Sequence, residues 1–379
     1  MSKYSIAVNT RLLLPGKLEG IGWFCYETLR RITQQNPKTH FYFLFDRNFS
    51  PEFLFSDNIT PIILSPQARH PLLWKWWFHV SVKKTLSKLK PDLFLSPDGF
   101  SILNSDIKTL PVIHDINFVH RPQDLKKSHA RYYNKYFPEY AKQAARIATV
   151  SEYSRVDMAE HFGISNDKID VVYNGVNTNL EPIPLQEQKE IRERYTEGRP
   201  FFLYIGSIHA RKNIVNMLKA FDVYKEETAA VDKFIFAGSK KWWTYEMELT
   251  FKTMKHKKDV LFLGRVSSEQ YAKLLPSAKA LLYVSLFEGF GIPIIEAFQA
   301  EVPVITSNIS SMPEVSGNAA LLADPYNTAS IANQMILLQN NDKLRQDLIA
   351  KGKRRKDFFS WDKTATLLWE SIERTMYHA

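Results

Sequence analysis

The sequence predicts an α/β protein built from two doubly wound parallel sheets. Short apolar runs that are typical of buried strands alternate along the chain with amphipathic helical segments. The alternation stops once, in the proline- and charge-rich stretch 178–198, and then restarts. The length of 379 residues is also long for one hydrophobic core and suits two.

The first domain is predicted to span residues 1–177. Its strands are expected at 4–9, 40–46, 59–64, 92–96, 109–113, 146–150 and 169–173. A helix is expected after the Gly20 and Gly22 turn, and Ser151 is expected to cap another helix that ends at Gly163. The stretch 178–198 is then predicted as a linker, because it combines two prolines with many charges and has no buried strand.

The second domain is predicted to span residues 199–360 and to repeat the same alternation. Its strands are expected at 201–205, 233–237, 260–263, 280–286 and 302–306. A closing helix is predicted over residues 361–379. In parallel sheets of this kind ligands bind outside the carboxyl ends of the strands, so candidate residues are sought there.

Residues 280–300 contain the most informative of these strand ends. Gly289 and Gly291 let backbone approach a ligand, and the helix that opens with Pro293 offers N–H groups to an anion. Glu288 and Glu296 bracket this turn and are able to accept hydrogen bonds from hydroxyls. A ligand with hydroxyls flanking phosphates is a nucleotide sugar. The alternatives are a solvated loop residue for Glu288 and a helix-dipole partner for Glu296.

Two cations follow the first strand of the second domain. Arg211 and Lys212 stand side by side just before a helix, where Arg grips a diphosphate in a fork and Lys adds a compact charge. Two solvated surface cations are the alternative in a chain with 50 Lys and Arg residues. Their position at a strand's carboxyl end favours the binding role.

Two weaker candidates lie in the first domain. Gly20 and Gly22 occupy a strand-to-helix turn whose amides suit a phosphate, with a plain tight turn as the alternative. His114 and Asp115 end a buried strand, and a structural histidine is the alternative to a catalytic one.

The chain resembles the retaining glycosyltransferases of family four, which have the GT-B architecture. The segment EGFGIPIIE at 288–296 matches the family's two glutamates separated by seven residues, and IGSIHARKN at 205–213 resembles its donor-diphosphate loop. Further matching segments occur in order along nearly the whole chain: GIG at 20–22, HD at 114–115, VSEYS at 150–154, NGV at 174–176, FLGRV at 262–266 and PEVSGNAA at 313–320.

The resemblance implies two domains facing across a cleft, a C-terminal helix that returns to the first domain, and transfer of a hexose from a nucleotide diphosphate with retention. Donor contacts would come from Gly20, Gly22, Gly206, Arg211, Lys212, Gly289, Phe290, Gly291 and Glu296. Catalytic roles would fall to His114, Arg211, Lys212 and Glu288. No cofactor is expected, and no metal, since no ligand spacing is recognisable and the two cations take the metal's role. The RKN form of the loop looks most like bacterial mannosyltransferases that use GDP-mannose; UDP- or dTDP-sugar donors, or an idle nucleotide-binding relative, are the alternatives.

Net charge, the lack of certain motifs and the cysteine count limit the classes of protein and of partner. The net charge of +10 favours anionic partners, but it is dispersed and accompanies no nucleic-acid-binding motif. A nicotinamide-dependent oxidoreductase is disfavoured, because Cys25 stands where the fingerprint needs a third glycine. The single cysteine excludes an internal disulfide framework and agrees with a cytoplasmic location.

The aromatic and basic helix predicted over 70–90 suggests a glycan or lipid-linked acceptor at the inner face of the cytoplasmic membrane. A core helix with a solvated basic face is the alternative. The oligomeric state is not indicated by the sequence.

Overall fold

The computed structural model describes residues 4–377. The described chain divides into two compact units. The first unit holds the residues up to Gly175 together with those from Ser360 onward, and the second holds Val176–Phe359. Each unit is built around a parallel sheet covered by helices.

The first unit follows the predicted alternation. Its strands are β1 (Tyr4–Asn9), β2 (Thr39–Phe45), β3 (Ile59–Ile63), β4 (Leu93–Ser96), β5 (Thr109–Pro111), β6 (Ile147–Thr149) and β7 (Ile169–Val171). The helices in this part of the chain are α1 (Gly20–Gln35), α2 (Pro71–Trp76), α3 (Lys83–Leu89), α4 (Asn117–His120), α5 (Lys127–Gln143) and α6 (Glu152–Phe162). Five strands form a sheet in the order β3-β2-β1-β4-β5, and β6 pairs with β7. A parallel bridge between Val112 and Ala148 joins the two sheets.

The segment predicted as one helix over 70–90 is helical throughout but not uniformly α. A π-helical turn over Trp77–Val82 connects α2 to α3. Within this turn Trp77, Phe78 and Val82 are fully buried and join the aromatic core of the unit. One face of this helical segment therefore lies in the core, as the core-helix alternative for residues 70–90 predicted.

The second unit contains one sheet with the strand order of a dinucleotide-binding fold. Its strands are β8 (Phe201–Ile205), β9 (Lys233–Ala237), β10 (Val260–Gly264), β11 (Ala280–Tyr283), β12 (Val304–Ser307) and β13 (Leu321–Ala323). Its helices are α7 (Leu185–Thr196), α8 (Ile214–Thr228), α9 (Tyr245–Thr253), α10 (Ser268–Leu274), α11 (Ile292–Gln299), α12 (Met312–Ser316), α13 (Thr328–Gln339) and α14 (Asp342–Arg355). All neighbours are parallel in the order β10-β9-β8-β11-β12-β13. The order reverses between β8 and β11, and such a switch point is where these sheets bind ligands.

The C-terminal helix α15 (Trp361–Tyr377) belongs to the first unit. It packs against α1, and its Thr364 hydroxyl donates to the carbonyl of Tyr173 at 2.7 Å. The Ser371 hydroxyl donates to buried Asp170 at 2.6 Å. The chain thus returns to the first unit, as the predicted fold requires, although residues 378 and 379 of the predicted helix lie outside the described part.

Two predicted boundaries differ from the structure, and one strand was not predicted. The stretch 178–198, predicted as a linker, contains α7 and belongs to the second unit. The strand expected at 280–286 ends at Tyr283, because the chain turns there into the glycine-containing loop. Strand β13 was not predicted; its three residues are too short a run to show periodicity.

The described residues contain no helix with both the length and the apolar character that crossing a membrane requires.

We expect Gly175→Ala to destabilise the first unit. A Cβ atom at this position would overlap the backbone nitrogen and indole ring of Trp361, at the start of α15. Overpacking of this kind should cost about 2 kcal/mol. Differential scanning calorimetry would measure it, with Gly20→Ala as the control because a Cβ atom there meets nothing within 4 Å. An unchanged transition in Gly175→Ala would contradict this packing of α15.

Candidate active site

Two loops meet at the switch point of the second sheet. One follows β8 and runs through Gly206 to a single helical turn at Ala210–Lys212; the other follows β11 and leads to α11. The backbone N–H of Leu286 donates to the carbonyl of Arg211 at 2.8 Å and ties the loops together. Gly206 has a positive φ of 133°, which favours glycine. A Cβ atom on Gly238 would overlap the Gly206 carbonyl, so both positions need glycine.

Glu288 is the centre of the site. Its carboxylate accepts from Arg211 Nη1 at 2.7 Å through Oε2 and from Lys212 Nζ at 2.5 Å through Oε1. Arg211 Nη1 also donates to the Phe287 carbonyl at 2.6 Å, and Lys212 Nζ to the Tyr283 hydroxyl at 2.8 Å. Burial alone raises the pKa of Glu288, but Arg211 and Lys212 outweigh it and lower that pKa to about 2. The carboxylate is therefore ionised throughout the physiological range.

The backbone of Glu288 is fixed by two serines that follow β12. The Glu288 N–H donates to the Ser310 hydroxyl at 3.0 Å, while the Ser311 hydroxyl donates to the Glu288 carbonyl at 2.9 Å. Ser310 itself adopts a left-handed φ of 61°. Buried hydrogen bonds of this kind hold the carboxylate in one place before any ligand arrives.

A buried asparagine fixes the start of α8. Asn213 has a left-handed φ of 61°, a conformation that asparagine tolerates better than most residues. Its side-chain amide donates to the carbonyls of Val284 at 3.0 Å and Pro325 at 2.7 Å. The turn that carries Arg211 and Lys212 is thereby locked to the loop after β11.

Glu296 lies apart from this cluster, in the second turn of α11, since the helix begins at Ile292. This placement differs from the first-turn position expected from the sequence, so complementing the helix dipole does not account for the residue. The Tyr271 hydroxyl donates to Glu296 Oε2 at 2.8 Å. Burial raises the pKa of Glu296 to about 7, although the bond from Tyr271 acts in the opposite direction.

The remaining donor-contact candidates of this loop are backbone groups. Gly289 and Phe290 are buried, and Gly291 caps α11 with a positive φ of 103°. The Phe290 carbonyl accepts from the Ser311 hydroxyl at 3.0 Å. The turn is thus held at both ends, with the N-terminus of α11 directly after it.

The first-unit candidates lie at the carboxyl ends of the other sheet. His114 follows β5, and its Nε2 is 2.9 Å from the carbonyl of Pro97. Burial lowers the pKa of His114, so the imidazole is neutral at physiological pH. Gly20 and Gly22 lie inside the first turn of α1 rather than in a loop before it. A Cβ atom on Gly22 would stand 3.2 Å from the Leu12 carbonyl, so the helix start approaches the loop after β1 closely.

A buried polar network that sequence reasoning missed lies beside His114. Asp98 accepts from Asn9 Nδ2 at 2.8 Å and from Arg11 Nε at 2.6 Å. Asn9 ends β1, Arg11 follows it and Asp98 follows β4, and these two strands form the switch point of the first sheet.

Of the predicted residues, the structure therefore brings Arg211, Lys212 and Glu288 into direct contact. Glu296 is bonded to Tyr271 instead, and His114, Gly20 and Gly22 belong to the other unit. The contacting side chains that the sequence did not single out are Tyr271, Tyr283, Ser310, Ser311, Asn213 and Asp98. Tyr271 and Tyr283 carry no local signal, whereas Asn213 directly follows the Arg-Lys pair.

Two family models cover most of the chain. Residues 18–180 match the model described as Glycosyltransferase Family 4, and residues 186–355 match the model described as Glycosyl transferases group 1. The sequence is 30% identical over 260 residues to O-antigen chain mannosyltransferase B of Escherichia coli, covering 68% of each chain. It is also 30% identical over 269 residues to O-antigen chain mannosyltransferase RfbU of Salmonella typhimurium, covering 71% of each.

The chain belongs to glycosyltransferase family four. The solved structure of a glycosyltransferase from Rickettsia africae agrees in fold, with a TM-score of 0.74 and 16% identity over the whole of both chains. The predicted GT-B fold and family are therefore confirmed. This glycosyltransferase resembles mannosyltransferases in sequence, and the Arg211–Lys212–Glu288 cluster lies within the part matched by the group 1 model.

We expect the free energy of unfolding of this glycosyltransferase to depend on pH through the titration of Glu296. The pKa of about 7 in the native state lies above the value of 4.5 expected in the unfolded chain. The unfolded state therefore releases this proton first as pH rises, and the free energy of unfolding falls between pH 4.5 and 7 by up to about 3 kcal/mol.

Denaturant unfolding at pH 4.5 and at pH 8 would measure this fall, which Glu296→Gln should abolish. Tyr271→Phe is a second variant, because it removes the hydrogen bond that lowers the pKa of Glu296. In this variant the free energy of unfolding should continue to fall to higher pH. The same pH dependence in wild type and Glu296→Gln would contradict the assignment.

Proposed function

We propose that this glycosyltransferase transfers mannose from GDP-mannose to a hydroxyl of a glycan or lipid-linked glycan, with retention, in cell-surface polysaccharide synthesis. The observation that carries the proposal is the Arg211–Glu288–Lys212 cluster at the switch point of the second sheet. Support for mannose comes from the two relatives named above, both O-antigen chain mannosyltransferases.

The two cations suit a diphosphate. A guanidinium carries five N–H donors and an ammonium three, so Arg211 and Lys212 are able to hold phosphate oxygens while paired with Glu288. Their charge is already in place and ordered by the carboxylate before the donor binds. As the bond to the sugar breaks, negative charge grows on the departing diphosphate, and these cations stabilise it more than they stabilise the intact donor.

Glu288 and Glu296 have different roles in the proposed reaction. Glu288, with a pKa of about 2, is an acceptor of hydrogen bonds and cannot supply a proton, so it suits holding sugar hydroxyls. Glu296 suits the ribose hydroxyls. The proton of the attacking hydroxyl passes to the leaving phosphate on the same face of the sugar, which gives retention without a protein nucleophile. His114 is proposed to contact the sugar as a neutral imidazole.

The experiment is a thermal-shift panel of GDP, UDP, ADP and dTDP and their common sugars, without added metal. Binding at a hundred times the dissociation constant should stabilise the fold by roughly 2.7 kcal/mol. We expect the response to GDP and GDP-mannose, and we expect Arg211→Ala to lower the transfer rate about 10²-fold. Arg354→Ala is the matched control, because Arg354 is exposed in the same unit.

The outcomes separate the alternatives. A response to UDP or dTDP instead would keep the family and change the sugar. A response without sugar transfer would indicate the idle nucleotide-binding relative, and no response to any nucleotide would contradict the proposed enzyme. Added Mg²⁺ or Mn²⁺ should not raise the transfer rate, since the cations already supply the charge. The anomeric configuration of the product, read by nuclear magnetic resonance, tests retention directly.

We also propose that the helical segment of residues 71–89 rests on an anionic bilayer. Leu72, Trp76 and Val80 are exposed by 76%, 58% and 45%, and they stand four residues apart. Exposed Lys84 and Lys88 continue the same spacing. An apolar stretch followed by lysines fits a peripheral contact with acidic headgroups at the cytoplasmic face.

Flotation with vesicles of phosphatidylglycerol and phosphatidylethanolamine would test the contact. Lys84→Glu combined with Lys88→Glu should lower the vesicle partition constant by about 30-fold or more at low salt, because each lysine contributes about 1 kcal/mol near such a surface and the new glutamates are repelled by it. The pair Lys258→Glu and Lys343→Glu is the control, since both lysines are exposed on the other unit. Equal flotation of the two variants would contradict this surface.

A further inference from the structure

A cluster of three metal-ligating side chains lies in the first unit, outside the site described above. Asp157 and His161 stand four residues apart on α6 and therefore share one face of that helix. His120 joins them from the end of α4. No sequence pattern marks these three residues as a set, because His120 is 37 residues from Asp157 and a four-residue spacing alone is common.

The ligand atoms are close together. His120 Nε2 lies 2.8 Å from Asp157 Oδ1 and 3.0 Å from Oδ2, and His161 Nδ1 lies 3.2 Å from Asp157 Oδ1. The ligand atoms of all three residues lie within 4.8 Å of one another. In a tetrahedral zinc site with bonds of about 2.0 Å, ligand atoms are about 3.3 Å apart, so a small outward adjustment accommodates an ion.

From this geometry we propose that His120, Asp157 and His161 bind a divalent cation of the zinc class. Two imidazole nitrogens and one carboxylate oxygen are a donor set that suits Zn²⁺ and its neighbours rather than Mg²⁺ or Ca²⁺, which prefer oxygen. Both histidines are exposed while Asp157 is buried. The fourth position therefore opens to solvent and takes water.

The alternative is an ion-pair network without metal. In that alternative His120 Nε2 donates a hydrogen bond to the Asp157 carboxylate, while His161 Nδ1 donates to the Asp157 backbone carbonyl at 2.9 Å and lies 3.2 Å from the carboxylate. The Asp157 carboxylate is buried, and a divalent cation held by the same three side chains would compensate its charge.

The ion would clamp the segment that carries His114. Asp115 directly follows His114, and the Asn117 N–H that opens α4 donates to Asp115 at 2.9 Å. The Ser154 hydroxyl of α6 donates to the His114 carbonyl at 3.2 Å. A metal bond between α4 and α6 would add a second tie and reduce local opening of residues 114–120.

The test uses the full chain without a histidine tag, stripped of metal and titrated with Zn²⁺ against a chromogenic chelator. We expect about one ion per chain and, with Co²⁺, visible absorption from nitrogen and oxygen ligands. Because loss of an outer-sphere partner alone costs 10–100-fold, His161→Ala should weaken binding by about 100-fold. His70→Ala is the matched control, an exposed histidine whose side chain caps no helix.

Asp157→Asn is the second variant. Because Asp157 is buried, this substitution risks misfolding, and the His161→Ala variant, at an exposed residue, then still tests the proposal. Hydrogen exchange of the amides of 116–121 should slow on adding Zn²⁺ to the wild type and stay unchanged in His161→Ala. Absence of binding, or equal binding by wild type and His161→Ala, would overturn the proposal. Binding without a change in exchange would overturn the clamp. None of these readouts depends on sugar transfer.

Discussion

Charge compensation of the buried Glu288 is the interaction on which the candidate site depends. An unpaired carboxylate in this position would be expensive, and Arg211 and Lys212 remove that cost by contacts of 2.7 and 2.5 Å. The contacts also hold the loop after β8 against the loop after β11. The same pairing that stabilises the loops therefore orders two cations at the switch point, where a phosphorylated ligand of this fold class binds.

The two glutamates of one motif are in opposite electrostatic states. Glu288 meets two cations and its pKa falls to about 2, whereas Glu296 meets the neutral hydroxyl of Tyr271, and burial raises its pKa to about 7. Environments that push the pKa values of nearby carboxyl groups apart commonly divide roles between them. Here Glu288 is an anion at neutral pH, while Glu296 changes protonation near neutral pH.

In the first unit, too, polar side chains gather where the strand order of the sheet reverses. Asp98, Asn9 and Arg11 form a buried network where β1 and β4 separate, and His114 is bonded to the adjacent Pro97 carbonyl. The helix α15 closes the unit through Asp170 and Tyr173. The His120–Asp157–His161 cluster joins α4 to α6, and α6 is bonded to the His114 carbonyl through Ser154, so the proposed ion would act on the order of that segment rather than on the chemistry itself.

The sequence by itself determined the two-sheet fold class, the family resemblance and the candidates Arg211, Lys212, Glu288 and Glu296. Strand periodicity and glycine placement are local properties that one segment displays alone, so they are readable without coordinates. Only the tertiary structure decided that Glu288 pairs with both cations, that Tyr271 rather than a cation faces Glu296, and that α7 occupies the expected linker. It also brought His120 to Asp157 across 37 residues. Such partners are chosen by which loops and helices the sheet order places side by side, and no local pattern encodes that choice.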